Sequence, residues 1–205
     1  VVPGGVGTAE EILYLLGILL HPDNADIPFP LVFSGPKSAE EYFRRIDQFI
    51  GATLGPKAQR CYKIIIDDPD RVAQEIKSGI QGVRDFRKFR HDAYNFNWLL
   101  KISDEFQQPF IPTHENMRDL SLQRDQPSHL LAANLRCAFS GMVAGNVKAD
   151  GIRAIEQFGS FEVFGEPAIM RPMDELLASF VAQHRMKLCG AAYNPCYRII
   201  GAGSA

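Results

Sequence analysis

Apolar positions along the chain follow two regimes. Over residues 1–85, short solid apolar runs alternate with longer amphipathic stretches. Val1-Val2 is an apolar stub. Residues 8–20 read as a helix, with Ile12, Leu15, Leu16 and Leu19 as a stripe that Leu13, Ile18 and Leu20 widen. A helix apolar nearly all round is a buried one, and His21-Pro22 ends it. Pro30 to Gly35 reads as a short buried strand stopped by Gly-Pro. Ser38-Ala39-Glu40-Glu41 has capping-box spacing. It opens an amphipathic helix through Tyr42, Phe43, Ile46, Phe49 and Ile50. Tyr62 to Ile66 is the next strand. Asp67-Asp68-Pro69-Asp70 then caps a helix expected to face Val72, Ile76 and Ile80 inward. Strands alternating with helices of this length imply a parallel sheet with helices on its faces, so the fold class is α/β.

After residue 90 the pattern changes. His91 to Ser103 is aromatic-rich and reads as a strand or an ordered loop. Residues 104–127 are polar, hold Pro109, Pro112 and Pro127, and read as an extended connector. Ser128 to about Val143, Val147–Phe158 and Met173–Lys187 read as helices, and Phe161–Phe164 as a short strand. The expected organisation is an α/β half-domain over residues 1–90, a mainly helical C-terminal extension over 91–200, and a flexible tail at 201–205.

Composition adds bounds to this picture. The chain has 205 residues, 46% hydrophobic and 22% charged, with a formal net charge of −2. Such a balance gives no general pull toward nucleic acid or an anionic membrane, and no apolar run approaches the roughly 20 residues of a membrane span. Cys61, Cys137, Cys189 and Cys196 form no CxxC pair; scattered reduced thiols in a cytoplasmic protein, with no metal, are the expectation. The chain opens without Met, at what reads as the end of a strand, and is expected to be a C-terminal fragment.

The chemistry concentrates at the start. Pro3-Gly4-Gly5-Val6-Gly7-Thr8 is a glycine-rich strand-to-helix turn. Glycine lets backbone approach an anion closely, and a helix N-terminus attracts phosphate. The spacing is neither G-x-G-x-x-G nor a P-loop, so on residues alone tight packing and phosphate binding both stand. Thr8 and Glu11 have capping-box spacing, which gives Glu11 a cap reading beside a catalytic one. Elsewhere, residues 84–90 carry Arg84, Arg87, Lys88 and Arg90; cations suit a helix C-terminus, and an anionic ligand is the sharper alternative. His184, Arg185 and Lys187 pose the same choice. His114, Glu115 and Asp119 read as structural polar residues, and Tyr94, Phe96 and Trp98 as packing residues that could also stack on a base.

These residues carry a resemblance. Pro3-Gly4-Gly5-Val6-Gly7-Thr8-Ala9-Glu10-Glu11 is similar to the P-G-G-x-G-T-x-x-E motif of the LOG family of phosphoribohydrolases, often labelled "possible lysine decarboxylase". Asp92 to Trp98, His114 to Met117, Ala138 to Lys148 and Phe180 to Leu188 resemble its long bacterial branch, the nucleotide 5′-monophosphate nucleosidases. The resemblance covers residues 1–198. It implies a Rossmann-like fold, present here as its C-terminal half. The implied reaction is hydrolysis of the N-glycosidic bond of a nucleoside 5′-monophosphate to free base and ribose 5-phosphate. It assigns Gly4, Gly5, Gly7 and Thr8 to the 5′-phosphate and Glu11, with Glu10 as neighbour, to catalysis, with no cofactor. The family's arginine upstream of the motif has no counterpart in this chain. Taken alone, the segment would expose a sheet edge and an apolar face, so it is expected with its missing half or as a homo-oligomer; the branch further implies a guanosine alarmone effector, with Arg84, Arg87, Lys88 and Arg90 as the expected contacts. Competing readings are a cytokinin-type phosphoribohydrolase acting on N6-modified AMP and a non-catalytic nucleotide sensor. Lysine decarboxylation normally needs a pyridoxal phosphate lysine, and no pocket for one is recognisable.

Overall fold

A computed structural model describes residues 1–91, 100–186 and 195–200. It is a mixed α/β structure with two small parallel sheets, whose elements share one apolar core. The expected strands form where the short apolar runs lie: β1 is Val32–Gly35 and β2 is Lys63–Ile66. They pair in parallel, Val32 opposite Lys63 through Gly35 opposite Ile66. The Val1 stub joins the same sheet. Its amino group donates to the Val32 carbonyl at 2.7 Å, and the Ser34 N–H donates to the Val1 carbonyl at 2.9 Å. Backbone groups of alternate strand residues point to opposite edges, so Val1 and β2 flank β1 on its two sides.

Helix α1, Val6–Leu19, begins two residues earlier than the pattern predicts. Its Ile12, Leu13, Leu16 and Ile18 are buried, and it packs along α7, Ser128–Val147, which is also apolar nearly all round. The early start removes the expected Thr8–Glu11 capping box. Gly5 is the N-cap and Thr8 lies inside the first turn, with no side chain capping the end. The second capping box also fails to form. Lys37–Ala39 makes a 3₁₀ turn, Ala39 becomes the N-cap of α2 (Glu40–Thr53), and Glu41 pairs with Arg44 and Arg45 instead. The inward face of α2 follows the prediction: Tyr42, Phe43, Ile46, Phe49 and Ile50 are all buried.

After the short α3, Pro56–Gln59, comes β2 and then α4, Pro69–Phe89. Here the local signal holds: the Asp68 carboxylate accepts from the Arg71 N–H at 2.9 Å and Pro69 sits in the first turn. The expected inward stripe does not. No residue of α4 is buried; Val72 and Ile76 are half-covered and Ile80 is 43% exposed. Among the described elements, β1 and β2 supply most of the packing of α4.

The segment expected as an extended connector folds two short helices, α5 (Asp104–Gln107) and α6 (His114–Arg118). Thr113 caps α6 through the Asn116 N–H. Helix α8, Ala149–Phe158, is followed by β3, Phe161–Phe164, as expected. A strand the pattern did not reveal, β4 (Tyr197–Ile200), pairs with β3 in parallel. Helix α9 runs Pro167–Ala182, starting six residues before the predicted position because Pro167 suits the first helical turn. It stops before Lys187 because His184 turns to a φ of +53°. The α9 face packs on α2, where Tyr42 and Phe180 stack with centroids 5.5 Å apart.

Candidate functional site

The glycine turn joins the Val1 strand residue to α1, so the free N–H groups of the first helical turn stand at the end of the sheet. Its three glycines do different things. A Cβ on Gly4 would lie 2.0 Å from the Thr8 Oγ1, and one on Gly5 would lie 2.1 Å from the Arg185 carbonyl oxygen. Both positions are glycine because neighbouring atoms leave no room. At Gly7 a Cβ would meet nothing within 4 Å among the described residues. Gly7 is exposed and borders a cleft of about 730 Å³.

The cleft runs from residues 1–3 along α1, past Gly7, Thr8, Glu10, Glu11 and Tyr14, to Arg136 on α7. Its size falls within the roughly 300–1,000 Å³ of small-molecule sites. Glu11 is exposed to it, while Glu10 is half-buried. The Glu10 carboxylate takes a hydrogen bond from Ser140 and lies near Arg136 and Lys148. Burial nevertheless dominates and raises its pKa above the ordinary carboxylate value. Arg136 is itself buried, with its guanidinium over the rings of Tyr14 at 5.5 Å and Phe106 at 5.7 Å. Those two rings meet edge to face at 5.3 Å.

Behind the turn, the Tyr42 side chain is fully buried. Its hydroxyl lies near Gly4 and Thr8, and burial raises its pKa. Arg185 covers the Tyr42 ring at 4.6 Å and donates to the Gly4 carbonyl at 3.2 Å.

The structure thus gathers Gly7, Thr8, Glu10 and Glu11 on one cleft and sets Gly4 and Gly5 against the end of α9. Arg136 and Tyr14 carried no expectation from sequence, and Tyr42 was expected only as part of the apolar face of α2. Arg136 had a signal: it is the one Lys, Arg, Asp or Glu in α7, an otherwise apolar helix. His114 is a packing residue, paired with the Gly159 carbonyl at 2.8 Å and set against Phe161. Arg87 and Lys88 occupy the last turn of α4, as a helix-end reading requires. Tyr94, Phe96, Trp98, Lys187 and Cys189 lie outside the described residues. Cys61, Cys137 and Cys196 are free thiols. Among the described residues, no three His, Cys, Asp or Glu side chains are gathered to hold a metal ion, and no helix is long and apolar enough to cross a membrane.

The glycine turn and the buried helix it feeds lie within a stretch that matches a known family. Residues 1–76 match the family described as "Possible lysine decarboxylase". Residues 80–200 match a second one, "Pyrimidine/purine nucleotide monophosphate nucleosidase, C-terminal". The chain belongs to this nucleosidase C-terminal family. It is 57% identical over 197 residues to the pyrimidine/purine nucleotide 5′-monophosphate nucleosidase of Escherichia coli (strain K12), and equally so to that of Escherichia coli O157:H7. The alignment covers 96% of this chain and 43% of each relative, so the chain spans less than half the length of the curated relatives it matches.

Proposed function

We propose that this chain carries the phosphate loop and the catalytic carboxylate of an enzyme that hydrolyses the N-glycosidic bond of nucleoside 5′-monophosphates. The observation that carries the reading is Gly7. Packing demands glycine at positions 4 and 5, but among the described residues nothing demands it at 7. The space it leaves lies on the cleft, beside the first-turn N–H groups of α1. These groups and the positive end of the helix dipole suit a phosphate there. Thr8 adds a hydroxyl.

With the phosphate anchored, Glu11 stands one helical turn from Gly7, on the same cleft. A carboxylate there stabilises the positive charge that develops at the ribose anomeric carbon as the bond to the base breaks. Water adds its oxygen to that carbon, and its protons are shared between the departing base and the new hydroxyl. Glu10, hydrogen-bonded to Ser140 and close to Arg136, lines the same cleft as the neighbour of Glu11. The alternation of strands and helices, with the Val1 residue alongside β1, supports the C-terminal half of a Rossmann-like sheet. Ile80 and Phe89, 43% and 81% exposed, support assembly into a homo-oligomer. The exposed Arg84, Lys88 and Arg90 on and just after α4 are the proposed contacts of a guanosine alarmone.

The test is base release by the full-length protein from a panel of nucleoside 5′-monophosphates, each paired with its unphosphorylated nucleoside and with N6-substituted AMP. Release from the plain nucleotides, and little from the nucleosides, is expected because the phosphate supplies positioning energy. Saturable nucleotide binding with no release would replace the enzyme by a sensor. Preferential cleavage of N6-substituted AMP would narrow the substrate to cytokinin-type nucleotides.

A further inference from the structure

We propose that Arg185 is a positioning residue for the glycine turn, so that the C-terminal part of the chain sets the geometry of the phosphate site. The inference rests on the phosphate role proposed above. The two groups are 181 residues apart in sequence, yet Nη1 of Arg185 donates to the Gly4 carbonyl at 3.2 Å. The guanidinium is placed by a chain of contacts from α9. Ser179 Oγ accepts from Gln183 Nε2 at 2.8 Å, and Gln183 Oε1 accepts from Arg185 Nε at 3.2 Å. The Tyr42 ring supports the guanidinium face at 4.6 Å.

The backbone at Arg185 is fixed as tightly. The His184 N–H donates to Val181 at 3.0 Å and the Arg185 N–H to Phe180 at 2.8 Å, with His184 left-handed. This is the Schellman arrangement that closes helix ends. It places the Arg185 carbonyl where any side chain on Gly5 would strike it. Arg185 therefore touches the turn twice, by side chain at Gly4 and by backbone at Gly5. Among the described residues no carboxylate pairs with it.

The consequence follows from peptide geometry. In a planar trans peptide the C=O of one residue and the N–H of the next point in opposite directions. Holding the Gly4 carbonyl toward α9 aims the Gly5 N–H away from α9. Arg185 thereby keeps the Gly4 carbonyl, an acceptor, turned from the anion site and fixes the direction of the Gly5 N–H, without touching the substrate. Any shift of α9 against α2 carries the turn with it.

Steady-state kinetics and calorimetric binding of ribose 5-phosphate, both on the full-length protein, test this. Arg185→Ala should raise KM for the nucleotide and Kd for ribose 5-phosphate by about tenfold or more, while kcat falls by less than about threefold. Arg185→Lys, which keeps a cation over Tyr42, should recover part of the loss. Gly5→Ala should reproduce it from the other side of the contact. Arg153→Ala, an exposed arginine on α8 that pairs with Asp150, is the control and should change neither constant. If Arg185→Ala fails to fold, Arg185→Lys and Gly5→Ala carry the test. KM and Kd within about twofold of wild type in folded Arg185 and Gly5 variants would overturn the proposal, as would a loss confined to kcat. The ribose 5-phosphate arm separates the two readings: wild type that binds it but releases no base ends the proposed reaction and leaves Arg185 to be judged on Kd.

Discussion

Helices α1 and α4 each follow a strand segment of the same sheet, but they are stabilised in opposite ways. Helix α4 has good local signals: an Asp68 cap, Pro69 in its first turn, and Arg87 and Lys88 in its last turn. It nevertheless buries no residue. Helix α1 has none of these. Its N-cap is a glycine with no side-chain cap, yet Ile12, Leu13 and Leu16 are at most 1% exposed. Local signals suffice to start a helix that solvent can reach. Burial against α7 holds one whose first turn has been left open. The uncapped end is the one that borders the cleft, where a capping side chain would compete with a ligand for the same N–H groups.

The largest effect that tests this contrast is catalytic. Glu11→Ala should lower kcat by about 10²–10³-fold or more while nucleotide binding, measured by calorimetry, stays near wild type. Alanine at Arg84 or Lys88 on α4 should leave basal turnover of the full-length protein unchanged. Normal turnover by Glu11→Ala would remove the chemistry from α1.

Stability should divide the same way. Leu16→Ala empties a fully buried site between α1 and the core and should cost about 2–5 kcal/mol. Ile80→Ala on α4 should stay within about 0.5 kcal/mol. Urea unfolding of both variants measures the difference. Equal losses would mean that α4 is covered where it stands exposed here.

The cap should matter where burial does not. Asp68→Ala removes the acceptor for the Arg71 N–H and should cost about 1 kcal/mol. Hydrogen exchange localised to the first turn of α4 reads this directly.

What was legible in the sequence follows the same divide. The glycine turn and its carboxylates stand out because they occupy consecutive residues, and the Asp68 cap because it is local. The Thr8–Glu11 and Ser38–Glu41 spacings were equally local but did not form. One helix starts at Val6 and the other behind a 3₁₀ turn, and only tertiary packing decides that. Arg136 reaches the cleft from α7 and Arg185 reaches the turn from the end of α9, beyond the range of any spacing rule. Strands β3 and β4 are equally short, but β3 begins with an alternating Phe161-Glu162-Val163, whereas Tyr197-Arg198-Ile199-Ile200 shows no strict alternation. The inward stripe of α4 misled because amphipathicity shows a preference for cover without showing that cover is present.

The smallest effect concerns charge. The carboxylates of Asp70 and Asp85 on α4 are exposed, whereas α1 carries Glu10 half-buried against Ser140 and Arg136, with its pKa raised chiefly by burial. A carboxyl whose pKa is higher folded than unfolded binds its proton more readily in the folded state. Stability is then lost as pH rises from the unfolded value, near 4.5, to the raised folded value, and changes no further above it. Glu10→Gln should remove that decline, so the variant's stability profile should be flatter than wild type over the window just above pH 4.5. Urea midpoints measured across that window for wild type and variant compare the slopes directly. Parallel profiles would show that Ser140, Arg136 and Lys148 already offset the burial of Glu10, and that α1 holds its charged face at no more cost than α4.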